Sequence, residues 1–147
     1  MAEPGWCGKR MNAEIKARLL EAWSLRPAGM RSPPATEPEL LAFEAEHGPI
    51  PADVRWFLAQ CGGGVVGSEW VDGVHALTVT HRKFRREWGP PRGWTLQGVF
   101  VLGWDGSGNP FGVQAASGAV VVEDHNFGGI HELASSVEAF LFDGILK

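Results

Sequence analysis

At 147 residues, 44% hydrophobic and 20% charged, the chain has the size and composition of one ordinary globular domain, large enough to bury a core without a metal or disulfide staple. A formal charge of −4 argues against general nucleic-acid binding and permits a basic partner. Two cysteines, Cys7 and Cys61, form no disulfide framework, no apolar run approaches the ~18 residues of a membrane span, and the first ten residues hold no apolar signal core, so reduced thiols and a cytoplasmic location are expected.

Residues 1–10 read as a tail with Trp6 as its large apolar side chain, and residues 11–147 as a single domain. Asn12 is a helix-capping residue, and Ile15, Leu19 and Trp23 then recur one turn apart. They predict an amphipathic helix to about Leu25, stopped by Pro27-Ala28-Gly29 and followed by a linker through Pro33-Pro34. A lone helix could not bury its stripe, so the linker belongs within the domain. Thr36 and Glu39 form a capping box ahead of a second helix with Leu40, Leu41 and Phe43 on its apolar face. Glu37, Glu39, Glu44 and Glu46 make that helix acidic: either a solvated face or part of a surface for a cationic partner.

Gly48-Pro49-Ile50-Pro51 breaks the helix, and Pro51 opens the next, since its missing N–H is not needed there. Asp53 sits in the first turn, where the helix dipole favours a negative charge. Val54, Phe57 and Leu58 make the apolar face, Cys61 follows one turn on, and Gly62-Gly63-Gly64 is the stop.

Residues 65–66 and 69–71 read as short strands around Gly67, and 74–77 as a further edge strand. Thr78 or Thr80 would then cap a helix carrying Phe84 and Trp88 four apart, ended by Gly89-Pro90-Pro91. His81, Arg82, Lys83, Arg85 and Arg86 make it basic, with cations in its first turn, against the dipole. Further on, 100–104 reads as a buried strand, Asp105-Gly106-Ser107-Gly108-Asn109 as a hairpin turn, and Phe111, Val113 and Ala115 as the return strand. Ser117-Gly118 turns again into a strand over 119–123. A loop over 124–129 leads to a last short strand at 130–133, and Ser135 with Glu138 caps a closing helix holding Val137, Phe140 and Leu141. The order predicts an α+β fold, a mostly antiparallel meander with helices packed on one face and the other face, or its edge, open for a partner.

The most enzyme-like cluster is Asp124-His125-Asn126 with His131, which suggests a small metal-dependent hydrolase as one alternative but matches no established metal motif. The Asp105–Asn109 turn lacks the downstream glutamate of a calcium loop, the glycines at 62–64 are not followed by Gly-Lys-Ser/Thr, and no serine or cysteine lies in a nucleophile motif. No catalytic residue, metal or cofactor is therefore assigned. The basic helix admits nucleic-acid contact as a weaker reading, since phosphate binding needs more convergent donors. The chain has seven tryptophans and no tyrosine, and tryptophan often dominates interface energy. Trp56, Trp70, Trp94 and Trp104 are the candidates for partial exposure, and Trp56, beside Phe57, points away from part of its helix's apolar face.

Two stretches resemble the SMI1/KNR4 family of the SUKH superfamily. The first is Phe43-Glu44, Ile50-Pro51-Ala52-Asp53, Phe57-Leu58 and Gly63-Gly64, with Ile50 for the usual leucine, Val54 for an aromatic and Gly62 for an asparagine. The second is the run 102–109, LGWDGSGN, followed by Ser117-Gly118-Ala119-Val120 and His125. The likeness spans roughly residues 36–142. It implies a non-enzymatic protein-binding domain. For bacterial members that means an immunity protein neutralising a polymorphic toxin, and for fungal relatives a regulatory adaptor. Richness in Ala, Gly, Arg and Trp with few Lys and Ile favours the bacterial case. Glu44, Trp56, Trp104, Asp105, Asn109 and His125 are the candidate partner-binding residues on a mainly acidic surface.

Overall fold

The computed structural model describes residues 10–147; the expected tail, with Trp6 and Cys7, lies outside the described residues apart from Arg10. Helix α1 (Ala13–Ser24) begins as predicted, with the Asn12 side chain accepting from Ile15 N–H at 2.9 Å and Leu19 and Trp23 buried. The linker that follows is not slack. A 3₁₀ turn at Ala28–Met30 leads into a segment in which Ser32 N–H donates to the Gly63 carbonyl and Ala35 N–H to that of Leu58.

Helix α2 (Glu37–His47) has both arms of its capping box: Glu39 N–H to Thr36 Oγ1 and Thr36 N–H to Glu39 Oε1. Gly48 ends it at φ +94°, and α3 (Ala52–Gln60) starts after Pro51 with Val54, Phe57 and Leu58 buried. Asp53 does more than sit at the positive end of α3. It is 8% exposed, and both its carboxylate oxygens accept from the Met11 N–H, which ties the start of the described chain to this helix. The glycines at 62–64 stop α3, but their spacing from the linker matters as much. A Cβ at Gly62 would lie 2.2 Å from the Pro33 carbonyl oxygen, at φ +86°, so the asparagine usual at this position has no room here.

Strands β1 (Gly64–Val66) and β2 (Glu69–Val71) pair as a small antiparallel hairpin. Helix α4 (Val74–Glu87) departs from expectation. It takes in residues 74–77, predicted as strand, and starts at Gly73 with no side-chain cap, so neither Thr78 nor Thr80 is the capping residue. Burial decides this: Val74, Leu77, Thr80 and Phe84 recur at helical spacing and are all buried, overriding the strand preference of Val74 and its neighbours. The cations consequently occupy the later turns, with Arg85 and Arg86 in the last, where the dipole favours them. Trp88 lies beyond the helix in extended backbone, so the expected Phe84–Trp88 helical pair does not form.

Strands β3 (Val99–Trp104), β4 (Pro110–Gln114), β5 (Val120–Glu123) and β6 (Ile130–Ala134) form the predicted meander, in the order β3-β4-β5-β6 and antiparallel throughout. Helix α5 (Val137–Leu146) closes the chain, capped by Ser136, whose hydroxyl accepts from Ala139 N–H, and not by Ser135; Glu138 therefore falls one position short of a capping box.

The fold is α+β as expected. Its sheet, however, is covered on both faces. Phe100, Leu102, Phe111, Val113, Val120 and Val122 face the main core, built with Leu19, Leu40, Phe43, Phe57, Leu58, Leu77 and Leu141. On the other face, Val101, Ala119 and Val121 meet Phe84 from the end of α4 and Leu96 from the loop after it, with Trp94 and Trp104 at the margin. What remains open is the edge. Residues 130–133 of β6 are exposed on both sides of the sheet.

Candidate functional site

The acidic and basic helices mostly answer each other. Arg82 grips Glu46 through Nε and Nη2 at 2.7 and 2.6 Å, Arg85 lies 3.7 Å from the same carboxylate and bonds His47, and His75 pairs with Glu39. The Arg55 guanidinium bridges Glu37 and Glu44, which lowers the Glu37 carboxyl pKa and raises that of Arg55 itself. Glu44 also accepts from Ile50 N–H at 3.1 Å across the α2–α3 break, so this candidate contact residue braces the elbow. Beneath the seam, His81 donates from Nε2 to the Val101 carbonyl and packs against Phe43, Phe100 and His47; burial pushes its pKa down to about 4.

Four of the six candidates come together around the β3–β4 turn. Asp105 Oδ1 accepts from Ser107 and Asn109 N–H at 2.9 and 2.8 Å, and its Oδ2 from the Asn109 amide, which holds the β3–β4 turn rigid. Asn109 is 3% exposed, and its Oδ1 accepts from both the His125 backbone N–H and the His125 ring Nδ1–H. That amide thus stitches the β3–β4 turn to the start of the β5–β6 loop and aims the exposed His125 ring outward. The His125 ring meets Trp94 edge-on at 6.0 Å between centroids, and Trp94 lies 6.1 Å from Trp104. Trp104 donates to Thr80 Oγ1, which donates in turn to Asp72, whose carboxyl pKa is raised by burial. The Lys83 ammonium lies 4.3 Å from the Trp104 ring centroid, a cation–π contact.

A cleft of about 880 Å³ opens beside this row, between the end of α4, the 88–95 loop and the β5–β6 loop. Trp94, Glu87, Arg86, Arg92, Glu123 and His125 are among its walls. Its carboxylates already have donors: Glu123 takes Thr95 and Leu96 N–H, Glu87 takes the Trp94 indole, and Asp124 takes Asn126 and Phe127 N–H, which lowers the Asp124 pKa.

The other two candidates lie elsewhere. Glu44 is at the α2–α3 elbow. Trp56 is half-buried against the core, with the Lys16 ammonium 5.7 Å from its ring centroid. Among the described residues no hydrogen bond, ion pair or ring contact joins either to the other four. Trp94 is the member of the row that sequence reasoning left out of the site, although its partial exposure was anticipated. Only tertiary packing places it between His125 and Trp104.

The enzyme-like cluster has its donors committed. Asp124 Oδ1 binds backbone N–H groups, His125 Nδ1 binds Asn109, and His131 Nε2 meets the Gly128 carbonyl. Among the described residues no group of three or more His, Cys, Asp or Glu side chains is arranged to hold a metal ion. Cys61 is buried, which pushes its thiol up to about 12, far from nucleophilic at neutral pH. No described helix is long and apolar enough to cross a membrane.

The model of the SMI1 / KNR4 family (SUKH-1) matches residues 34–143, including the elbow, the meander and most of α5. The chain belongs to the SMI1/KNR4 family. No curated protein matches it significantly. SMI1/KNR4 membership brings a generally non-enzymatic family known for immunity-type proteins and suggestive of protein partners. Helix α1 lies outside the matched stretch, yet it shares the main core through Leu19 and Trp23. The match agrees with the elbow and turn motifs in the sequence, within two residues at its start and one at its end.

Proposed function

We propose that this chain is a bacterial, cytoplasmic immunity protein, with residues 11–147 acting as one domain, which binds a cognate toxin domain and neutralises it by covering its active site. The observation that carries this reading is the row Trp104–Trp94–His125, half-exposed aromatic and imidazole surface held rigid from behind by Asn109 and Asp105. Rigid aromatic groups beside polar partners are what dominate binding energy in protein interfaces, because little side-chain entropy is lost when they are covered. Trp104 and His125 act as contact residues and Trp94 joins them. Asp105 and Asn109 position the row. Glu44 supports the elbow, and Trp56 offers a second, smaller patch beside Lys16.

The test is co-expression with the product of the neighbouring toxin-like gene. Growth of the doubly expressing cells, and recovery of a stable complex, is the expected result. Cell death unaltered by this chain, with no complex recovered, would remove the immunity reading. A complex with a housekeeping protein in its place would favour a regulatory adaptor.

A further inference from the structure

Antiparallel pairing with β5 satisfies one side of β6, and among the described residues no strand lies on the other. Unpaired edge backbone is a template for another strand, which proteins commonly mask with lysine, proline or a covering element. Among the described residues no lysine, proline or covering element protects residues 130–133, IHEL, all of which are exposed; the edge's own irregularities are the register shift at Leu133 and the charge of Glu132. Ile130 and Leu133 are 46% and 43% exposed, and Phe127 in the loop leading into the strand is 91% exposed. Alternate side chains of an added strand would therefore find an apolar neighbour on either face.

Carboxylates flank this edge. Glu132 is on the strand itself, and Glu69 and Asp143 line the groove where Leu133 meets the β1–β2 turn and α5. Two cations lie nearby and both are engaged: Asp143 holds Lys147 at 3.1 Å, and Arg26 donates to the Val65 and Gly144 carbonyls. His131 is turned to the Gly128 carbonyl.

We infer that the free edge of β6 docks an extended, basic segment of a protein partner as an added antiparallel or parallel strand, a step that rests on the protein-binding reading above. Backbone hydrogen bonds to β6 supply the register, Ile130 and Leu133 the apolar contacts, and Glu132, Glu69 and Asp143 the preference for lysine or arginine. A second copy of this chain fits less well. Two β6 edges meeting about a two-fold axis set one Glu132-bearing edge against another, without the basic side chains that would complement it.

The experiment uses the full chain and two synthetic peptides, one alternating lysine with valine or threonine, the other with glutamate in place of lysine. Amide hydrogen exchange is read residue by residue. With the basic peptide, exchange at the outward-facing N–H groups within residues 130–133 slows about tenfold or more, as expected when free N–H groups enter a ladder. The acidic peptide leaves it unchanged, and Glu132→Lys, at an exposed position, weakens the basic peptide about fivefold. Equal effects of both peptides, protection at the Trp94 cleft instead, or no protection anywhere overturns the inference. Dimerisation that protects β6 without peptide overturns it in favour of a second copy. Toxin neutralisation unaffected by Glu132→Lys, with β6 untouched by peptide, sinks this inference and leaves the immunity reading standing; a docked peptide with no toxin neutralised does the reverse.

Discussion

Two charged or aromatic surfaces of this molecule contrast sharply. The α2–α4 seam contains most of the sequence's conspicuous charge, yet Glu39, Glu46, Arg82 and Arg85 are spent on one another, and Glu37 and Glu44 on Arg55. The Trp104–Trp94–His125 row is left partly exposed, with Lys83 over Trp104 as the cation in contact with it. The lesson is that a charge run in a sequence measures neither free charge nor binding capacity. What a partner meets is whatever intramolecular pairing has left over. Exposed ion pairs contribute little to stability, typically under about 1 kcal/mol each. The seam is therefore better described as a solvated joint that fixes the angle between α2 and α4 than as a binding face.

The largest expected effect breaks the seam from beneath. His81 is held neutral by burial, with a folded pKa of about 4 against an ordinary value of 6.5. Between those two values the unfolded chain binds the extra proton, so stability is intact above about pH 6.5 and falls as the pH drops toward 4. The loss approaches on the order of 3 kcal/mol once protonation is complete. Asp53 and Asp72, whose carboxyl pKa values are raised by burial, act in the opposite sense. Denaturant titrations of wild type and His81→Phe across this window isolate the histidine: the variant should lose the part of the pH dependence that His81 supplies. An unchanged pH dependence in the variant would mean the imidazole is not the titrating group.

Next in size is Trp94→Ala, which removes the middle of the aromatic row. Binding of the proposed toxin partner should weaken about 30-fold or more, equivalent to roughly 2 kcal/mol, by calorimetry on folded protein. Asn109→Ala comes third. It deletes a buried amide with partners on both sides and should cost about 1–3 kcal/mol of stability. It should also raise hydrogen exchange at His125, whose backbone N–H loses its acceptor. The smallest effect is expected for Glu46→Ala, a slight loss of stability that shrinks as salt is added, with affinity for the proposed toxin unchanged.

Much of the fold was readable because its signals are local. The Thr36–Glu39 box, the Asn12 cap, the Gly48–Pro51 break and the alternation of Phe111 and Val113 each act within a few residues, so short-range chemistry settles them. The start of α4 was not readable, since Gly73 begins the helix without a cap and what favours helix there is the burial of Val74 and Leu77 by distant elements. Ser135 and Ser136 offered equivalent hydroxyls one position apart, a difference smaller than such patterns resolve. The site divides the same way. The Asp105 turn was legible as a turn. The Asn109–His125 bond joins residues sixteen apart, and the Trp94–Trp104 contact depends on how the 88–98 loop returns over the sheet. Glu44 stood out because it is acidic and belongs to the family-like motif, and nothing local announced that Arg55 would take it.

The contrast between the two surfaces is tested most directly by one calorimetric comparison of toxin binding to wild type, His125→Ala and Glu46→Ala, with melting temperatures recorded alongside. His125 is exposed and Glu46 is paired, so neither change should unfold the chain. The account predicts at least about tenfold weaker binding for His125→Ala at an unchanged melting temperature, and an affinity within about twofold of wild type for Glu46→Ala. Loss of binding on Glu46→Ala with His125→Ala unaffected would contradict it and make the charged seam the docking face.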